Sequence, residues 1–254
     1  MNATMTPPDL NAFVDRIERS LVPCPEARAS RQRELPVPTD RNAASDVLTP
    51  RSVRFTATCR RGMDIAVSGA TLFVLAPLML IVMLLIRLES RGPVFFVQER
   101  VGKRGRRFRM LKFRSMYVDA EQMRASVIQR AGAEAEVRFK ARDDPRITRV
   151  GRFLRRTSMD ELPQLWNVLR GEMALVGPRP PIPEETALYT SEQWRRLDVH
   201  PGLTCTWQVG GRSDLPFERQ VQMDIEYIRD RTLWTDLRIL FQTIPAVATG
   251  RGAY

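Results

Sequence analysis

From residue 65 to residue 86 the chain runs for 22 residues without a charged side chain, and nothing else in it limits the fold so strongly. A charge-free apolar run of this length marks a membrane helix. As a straight α-helix it would rise roughly 33 Å, enough to cross the roughly 30 Å of hydrocarbon in a bilayer. Pro77 sits near its middle. Proline has no amide hydrogen and its ring clashes with the preceding turn, so it divides the run into residues 65–76 and 78–86, each roughly one leaflet deep. Arg60 and Arg61 precede the run, and Arg87 and Arg91 follow it. Basic flanks are retained on the cytoplasmic side, which favours that side for both ends. Two topologies stay open on the pattern alone: a re-entrant helix that enters and leaves by one face, and a spanning helix with a tolerated proline kink.

Composition narrows the chemistry. Of 254 residues 43% are hydrophobic, so one domain of catalytic size with a real core accompanies the membrane segment. Forty basic residues against 29 acidic ones leave a formal charge of +11, which suits a partner or surface rich in phosphate. Cys24, Cys59 and Cys205 are too few and too scattered for a disulfide framework. His200 is the single histidine, which excludes a histidine-built zinc site, a His-Cys dyad and a Ser-His-Asp triad. Collagen, an acidic disordered tail and an all-round membrane transporter are excluded as well. The chemistry is left to carboxylates, arginines or a hard metal ion.

Residues 1–58 hold seven of the eighteen prolines among alternating charges and read as a disordered polar tail. Within it, Leu10, Phe13, Val14, Ile17 and Leu21 fall at helical spacing, interspersed with Asp15, Arg16, Glu18 and Arg19, so the segment is no signal peptide. The membrane element occupies residues 59–91, and the remaining domain residues 92–254. Residues 94–98 and 108–113 bracket a glycine- and arginine-rich stretch and predict a β-hairpin. Helices are expected over 117–131, over 158–170 ending at Gly171, over 217–229, and over 233–244 where Pro245 stops the last. Residues 133–144 read as a charged connector and 177–183 as a proline-rich loop. The last two helices could pack on a core or lie in the bilayer interface with Trp234 at headgroup depth.

The hairpin carries Arg100, Lys103, Arg104, Arg106, Arg107, Arg109, Lys112 and Arg114. If residues 108–114 are extended, Lys112 and Arg114 share one face and Leu111 and Phe113 the other. Two cations side by side suit a diphosphate. A solvated hairpin beside anionic headgroups explains the same residues, and charge alone favours it. Asp160 and Glu161 open the helix expected from residue 158, where Ser158 and Glu161 have the spacing of a capping box. Carboxylates at a helix start answer its dipole without any function. Such a pair can also combine a carboxylate nucleophile with a metal-binding or positioning group.

Lys112-Phe113-Arg114-Ser115-Met116, Asp144-Pro145-Arg146-Ile147-Thr148-Arg149-Val150-Gly151, Asp160-Glu161-Leu162-Pro163-Gln164-Leu165 and Val176-Gly177-Pro178-Arg179-Pro180 occur in this order. Pro201-Gly202-Leu203-Thr204, Trp207-Gln208-Val209 and Gly211-Arg212-Ser213-Asp214 follow. Together they resemble the bacterial sugar transferases called monotopic phosphoglycosyl transferases, over residues 60–254.

The resemblance implies an α+β, mostly helical fold, with a re-entrant membrane helix broken at Pro77, a small β-hairpin and interfacial amphipathic helices. It implies a reaction in which a UDP-sugar gives its sugar-1-phosphate to polyprenyl (undecaprenyl) phosphate and UMP is released, the first membrane step of exopolysaccharide or other glycoconjugate synthesis. By the same matching Asp160 is the nucleophile, carrying a covalent phospho-sugar, and Glu161 helps it hold Mg²⁺ or position the reacting groups. Lys112, Arg114 and Arg155 are implied at the phosphates and Arg179 and Arg212 at the nucleotide end, with Pro178 and Gln208 in the same substrate-binding motifs. The implied place is the inner membrane of a bacterium, with the catalytic domain on the cytoplasmic side and the bilayer as a partner. Nucleic acid is not expected, since Phe108 and Phe113 fall on opposite strand faces and form no stacking platform. A homodimer stays open.

Larger relatives carry a bundle of membrane helices where this chain has a polar tail, and His200, Cys205 and Glu172 depart from the common pattern. The rival reading is an inactive membrane-tethered scaffold, or a protein that binds anionic surfaces.

Overall fold

The computed structural model describes residues 51–120, 122–123, 144–211 and 215–249. The expected helix near residue 10, most of the one over 117–131, the charged connector up to residue 143 and Arg212 lie outside them. Helix α1 spans Arg51–Glu89, taking up the last residues of the stretch expected as tail, and passes through Pro77 without losing its helical assignment. Its part from Thr56 to Glu89 is long and apolar enough to cross a membrane.

One stripe of α1 packs on the rest of the chain, and it does so near both ends. Toward the start, Arg61 donates to the carbonyls of Val168 and Leu169, Asp64 accepts from the Leu175 amide at 3.0 Å, and Arg60 pairs with Asp236 at 2.7 Å. Toward the end, Val82 and Ile86 are buried with Phe113 and Leu154. Between and around these contacts Phe73, Val74, Leu80 and Ile81 are exposed, Phe73 at 84%. Leaving such side chains in water would cost about 1.5–3 kcal/mol each relative to burial, so this surface calls for lipid.

The hairpin forms as expected, slightly longer: β1 (Phe95–Val101) and β2 (Arg107–Phe113) pair antiparallel from Phe95 opposite Phe113 to Val101 opposite Arg107. Alternation along β2 sends Phe108, Met110 and Lys112 to one face, and Phe113 to the other. Phe108 and Met110 join the main core with Leu165, Val168, Leu175 and Tyr227, while Phe113 stacks on Phe95. Both faces of the hairpin are thus covered, so it is not the freely solvated ribbon that its charge suggests.

Helix α2 (Arg149–Arg156) follows, its start held twice: Thr148 caps the Gly151 amide, and Glu89 of α1 accepts from the Arg149 and Val150 amides. Gly151 lies so close to Ser115 that any Cβ would collide with its carbonyl. After a 3-10 turn at Met159–Glu161 come α3 (Gln164–Arg170), β3 (Ala174–Val176), the single-turn α4 (Pro183–Thr186), a 3-10 stretch Gln193–Asp198 and β4 (Gly202–Thr204). β3 and β4 form a parallel pair that the sequence pattern does not reveal. The short α5 (Thr206–Gly210), α6 (Phe217–Asp230) and α7 (Leu233–Thr249) complete the domain.

Two local expectations are corrected. Residues 118–120 form a turn rather than the start of a helix. Pro245 does not stop α7, which continues to Thr249; the residue is exposed and near the end, where one lost backbone bond matters little. The buried face of α6 carries Asp224 and Tyr227 beside Val221, because Asp224 pairs with buried Arg196 at 2.8 Å and Tyr227 donates to Asp236 at 2.7 Å. On α7, Asp236 and Ile239 face inward while Trp234, Phe241 and Ile244 stay exposed, so one side packs and the other is free to meet a bilayer.

Candidate active site

Asp160 and Glu161 do not open an α-helix. After α2 the chain reaches Ser158 at φ 55°, a left-handed conformation, and Ser158 makes no side-chain cap bond. The capping box expected from the spacing is therefore absent. Left-handed backbone costs a non-glycine residue roughly 1–2 kcal/mol, and such strain gathers at functional sites. Here it turns the chain sharply into the 3-10 turn Met159–Glu161, before Pro163 sets the entry to α3. Successive side chains on such a turn diverge by roughly 120°, so the two carboxylates take different surroundings.

Glu161 faces Lys112 Nζ at 2.9 Å and Arg179 at 3.8 Å. Two elements place that lysine. β2 presents it beside Met110, and the buried Asn167 of α3 locks β2 in position, accepting from the Leu111 amide at 3.0 Å and donating to the Arg109 carbonyl at 2.7 Å. Glu172 accepts from the same Asn167 amide at 2.6 Å. Arg155 leaves the end of α2 and donates to Ser115 Oγ at 2.9 Å.

The pair is electrostatically split. Burial, then the neighbouring Glu161 charge, raise Asp160 to about 6 against the pull of Lys112, Arg155 and Arg179. Burial also opposes the Glu161 charge, but Lys112 and then Arg179 overcome it and hold this carboxyl down at about 2. One member is thus firmly anionic and locked to cations. The other carries a charge that burial and its neighbour disfavour, which suits a nucleophile that reacts as the anion.

Glu161, Lys112 and Arg179 line a narrow cleft with Arg100, Gln164 and Pro180; Asp160 is not among its lining residues. Arg100 and Gln164 are site residues that reading the sequence missed. Arg100 was counted among the hairpin's solvated cations. It is largely buried, donates to the Pro180 carbonyl at 3.0 Å and to Gln98, and so anchors the loop that carries Arg179. Its Nε and the Gln164 amide nitrogen are buried without a partner. Donors left unpaired in a cleft with more cations than anions call for an anionic ligand rich in acceptors, such as a diphosphate.

The other expected residues are less united. Arg114 lies beyond the end of β2 and turns away, donating to the Ser90 carbonyl and hydroxyl at 2.7 Å and to the Arg91 carbonyl, so it steadies the exit from α1 rather than sharing a face with Lys112. Pro178 is fully buried and its carbonyl accepts from the Gly202 amide, a scaffold for the loop. Gln208 accepts a hydrogen bond from the buried Cys205 thiol and does not line the cleft. His200 is exposed.

For a metal ion, no cluster of three or more histidine, cysteine or acidic side chains gathers among the described residues. Among the described residues, the adjacent carboxylates of Asp160 and Glu161 are the candidate donors. Mg²⁺ commonly binds through one or two carboxylates with water and substrate phosphates, and a divalent cation would relieve the repulsion that raises Asp160. The donor set fits that mode.

Residues 55–250 match the family model described as bacterial sugar transferase. Among similar proteins is the UDP-galactose-lipid carrier transferase of Erwinia amylovora, 42% identical over 83% of this chain and 44% of that protein. The undecaprenyl-phosphate glucose phosphotransferase of Komagataeibacter xylinus is 44% identical over 77% of this chain and 37% of that protein. The exopolysaccharide production protein ExoY of Sinorhizobium fredii is 40% identical over 77% of this chain and 88% of that protein. The chain thus spans less than half the length of the first two.

Proposed function

The chain belongs to the bacterial sugar transferases, and from that premise we propose that it transfers a sugar-1-phosphate from a UDP-sugar to a polyprenyl phosphate in a bacterial cytoplasmic membrane, releasing UMP. The observation that carries this reading is the set of cations at the carboxylate pair: Lys112 and Arg179 act on both, Arg155 on Asp160 and Arg100 on Glu161. The Asp160 carboxylate attacks the sugar-linked phosphorus, the bond to the bridging oxygen breaks, and UMP leaves with that electron pair. The phosphate oxygen of the polyprenyl acceptor then attacks the same phosphorus, and the acyl-phosphate bond breaks to return the Asp160 carboxylate.

Lys112, Arg179 and Arg155 offset the repulsion between an anionic nucleophile and an anionic diphosphate, in a site where water is partly excluded. Glu161 fixes Lys112 and Arg179 and, with Asp160, would hold Mg²⁺. Bound there, the ion would supply positive charge to the diphosphate oxygens. The test is UMP release from UDP-galactose and UDP-glucose with polyprenyl phosphate and Mg²⁺; no release with any UDP-sugar would favour an inactive scaffold.

Because Asp160 must be ionised to attack, and burial beside Glu161 raises it, kcat/KM for UMP release should fall on the acid side, along a limb that moves to lower pH as Mg²⁺ is raised and offsets the Glu161 charge. An acid limb that Mg²⁺ leaves unmoved would contradict a nucleophile that also holds the ion.

The proposed topology is supported by where α1 is held. Arg60, Arg61 and Asp64 near one end and Val82, Ile86 and Glu89 near the other contact the same domain, which a re-entrant course would keep on a single side of a membrane. A re-entrant course is therefore proposed, with Pro77 near its deepest point and both ends cytoplasmic. Cysteines placed at the exposed positions Ala57 and Arg91 should resist an impermeant maleimide in intact spheroplasts and react after lysis. Labelling of the Ala57→Cys variant alone in intact spheroplasts would mean a spanning helix.

A further inference from the structure

Helix α2 has a face that the proposed reaction does not use. Arg149, Arg152, Phe153 and Arg156 are spaced i, i+3, i+4 and i+7, so they line one side of the eight-residue helix, and all four are exposed. Phe153 is 57% exposed, unusual for an aromatic ring on a short helix ringed by arginines. The opposite side fixes the height of this face. Leu154, 0% exposed, packs on Val82 and Ile86, which belong to the charge-free run, and Glu89 at the end of α1 holds the first two amides of α2.

A helix pinned to that depth carries its outer side along the bilayer boundary. A phenylalanine there enters the acyl border while guanidinium groups stay among the headgroups. Arginine's planar fork pairs with phosphate oxygens, and each basic residue close to an anionic leaflet strengthens attraction about fivefold. We infer that the Arg149–Arg152–Phe153–Arg156 face binds the headgroups of anionic phospholipids. The inference rests on the membrane reading of α1. Its consequence for the reaction is positional: α2 also bears Arg155 and leads through Ser158 into Asp160, so a lipid seated on the outer face sets the height of the carboxylate pair relative to the acceptor phosphate.

The full chain, purified in neutral detergent, is mixed with equal amounts of phosphatidylcholine and phosphatidylglycerol, and the lipids that stay bound are read by native mass spectrometry. The wild type should retain phosphatidylglycerol several-fold over phosphatidylcholine. The triple variant R149Q/R152Q/R156Q should fall to parity, and R149K/R152K/R156K, which keeps the charge, should hold most of the preference. Parity in the wild type, or an unchanged preference in the glutamine variant, would overturn the inference. Flotation with phosphatidylcholine vesicles separates the two readings: a chain that floats but shows no phosphatidylglycerol preference overturns only the lipid face, and one that does not float overturns the membrane reading with it.

Discussion

Asp160→Asn should lose both UMP release and lipid-linked product by at least about 10⁴-fold, roughly 5.5 kcal/mol of barrier, in a protein that stays folded. The amide keeps the size of the side chain but cannot supply an anionic oxygen to phosphorus. The surroundings predict that the fold tolerates the change. Burial and Glu161 raise the Asp160 carboxyl, so the folded chain disfavours its charge, and a neutral amide should leave the melting temperature unchanged or slightly higher. Loss of activity without loss of stability separates a reacting group from a structural one. With donor and no acceptor, the wild type should give an early burst of about one UMP per active enzyme, and a phospho-sugar adduct should map to Asp160. An adduct on another residue would refute the covalent step, even with the overall reaction intact.

The membrane helix, the hairpin and the last two helices were legible because long apolar runs and regular periodicity report burial directly. What stayed hidden depended on contacts between distant segments. β3 and β4 are three residues each, too short for alternation to register, and their pairing rests on Gly202 lying against Gly177 where a side chain would collide. Arg114 follows Lys112 by two residues, so strand alternation put both on one face; the strand ends at Phe113, and the next residue answers to the carbonyls after α1 instead. Arg100 looked like one more surface cation because nothing local says that the Pro180 carbonyl lies 3.0 Å from it. The Asp160–Glu161 pair was visible in the resemblance, but spacing read it as a helix cap. Only the left-handed Ser158 shows why the pair sits on a turn open to cations from three elements.

Lys112 is where those electrostatics can be tested most sharply, since it is the first of the cations acting on both carboxylates. Lys112→Met keeps the apolar stem against Met110 and removes the charge. Glu161 then loses its partner at 2.9 Å, and the diphosphate loses one of the cations that offset its repulsion from Asp160. UMP release should fall by about 10²–10³-fold, in line with removing one charged contact from a partly dry site. Lys112→Arg should recover part of this, because its charge remains but its fork is wider than an ammonium. The pH profile distinguishes the roles of the lysine. Its charge lowers Asp160, so without it the acid limb should move upward at the same Mg²⁺ concentration, and the residual activity should peak at higher pH than in the wild type. A loss of rate with the limb unmoved would refute the idea that Lys112 tunes the nucleophile, leaving it a contact to the substrate alone.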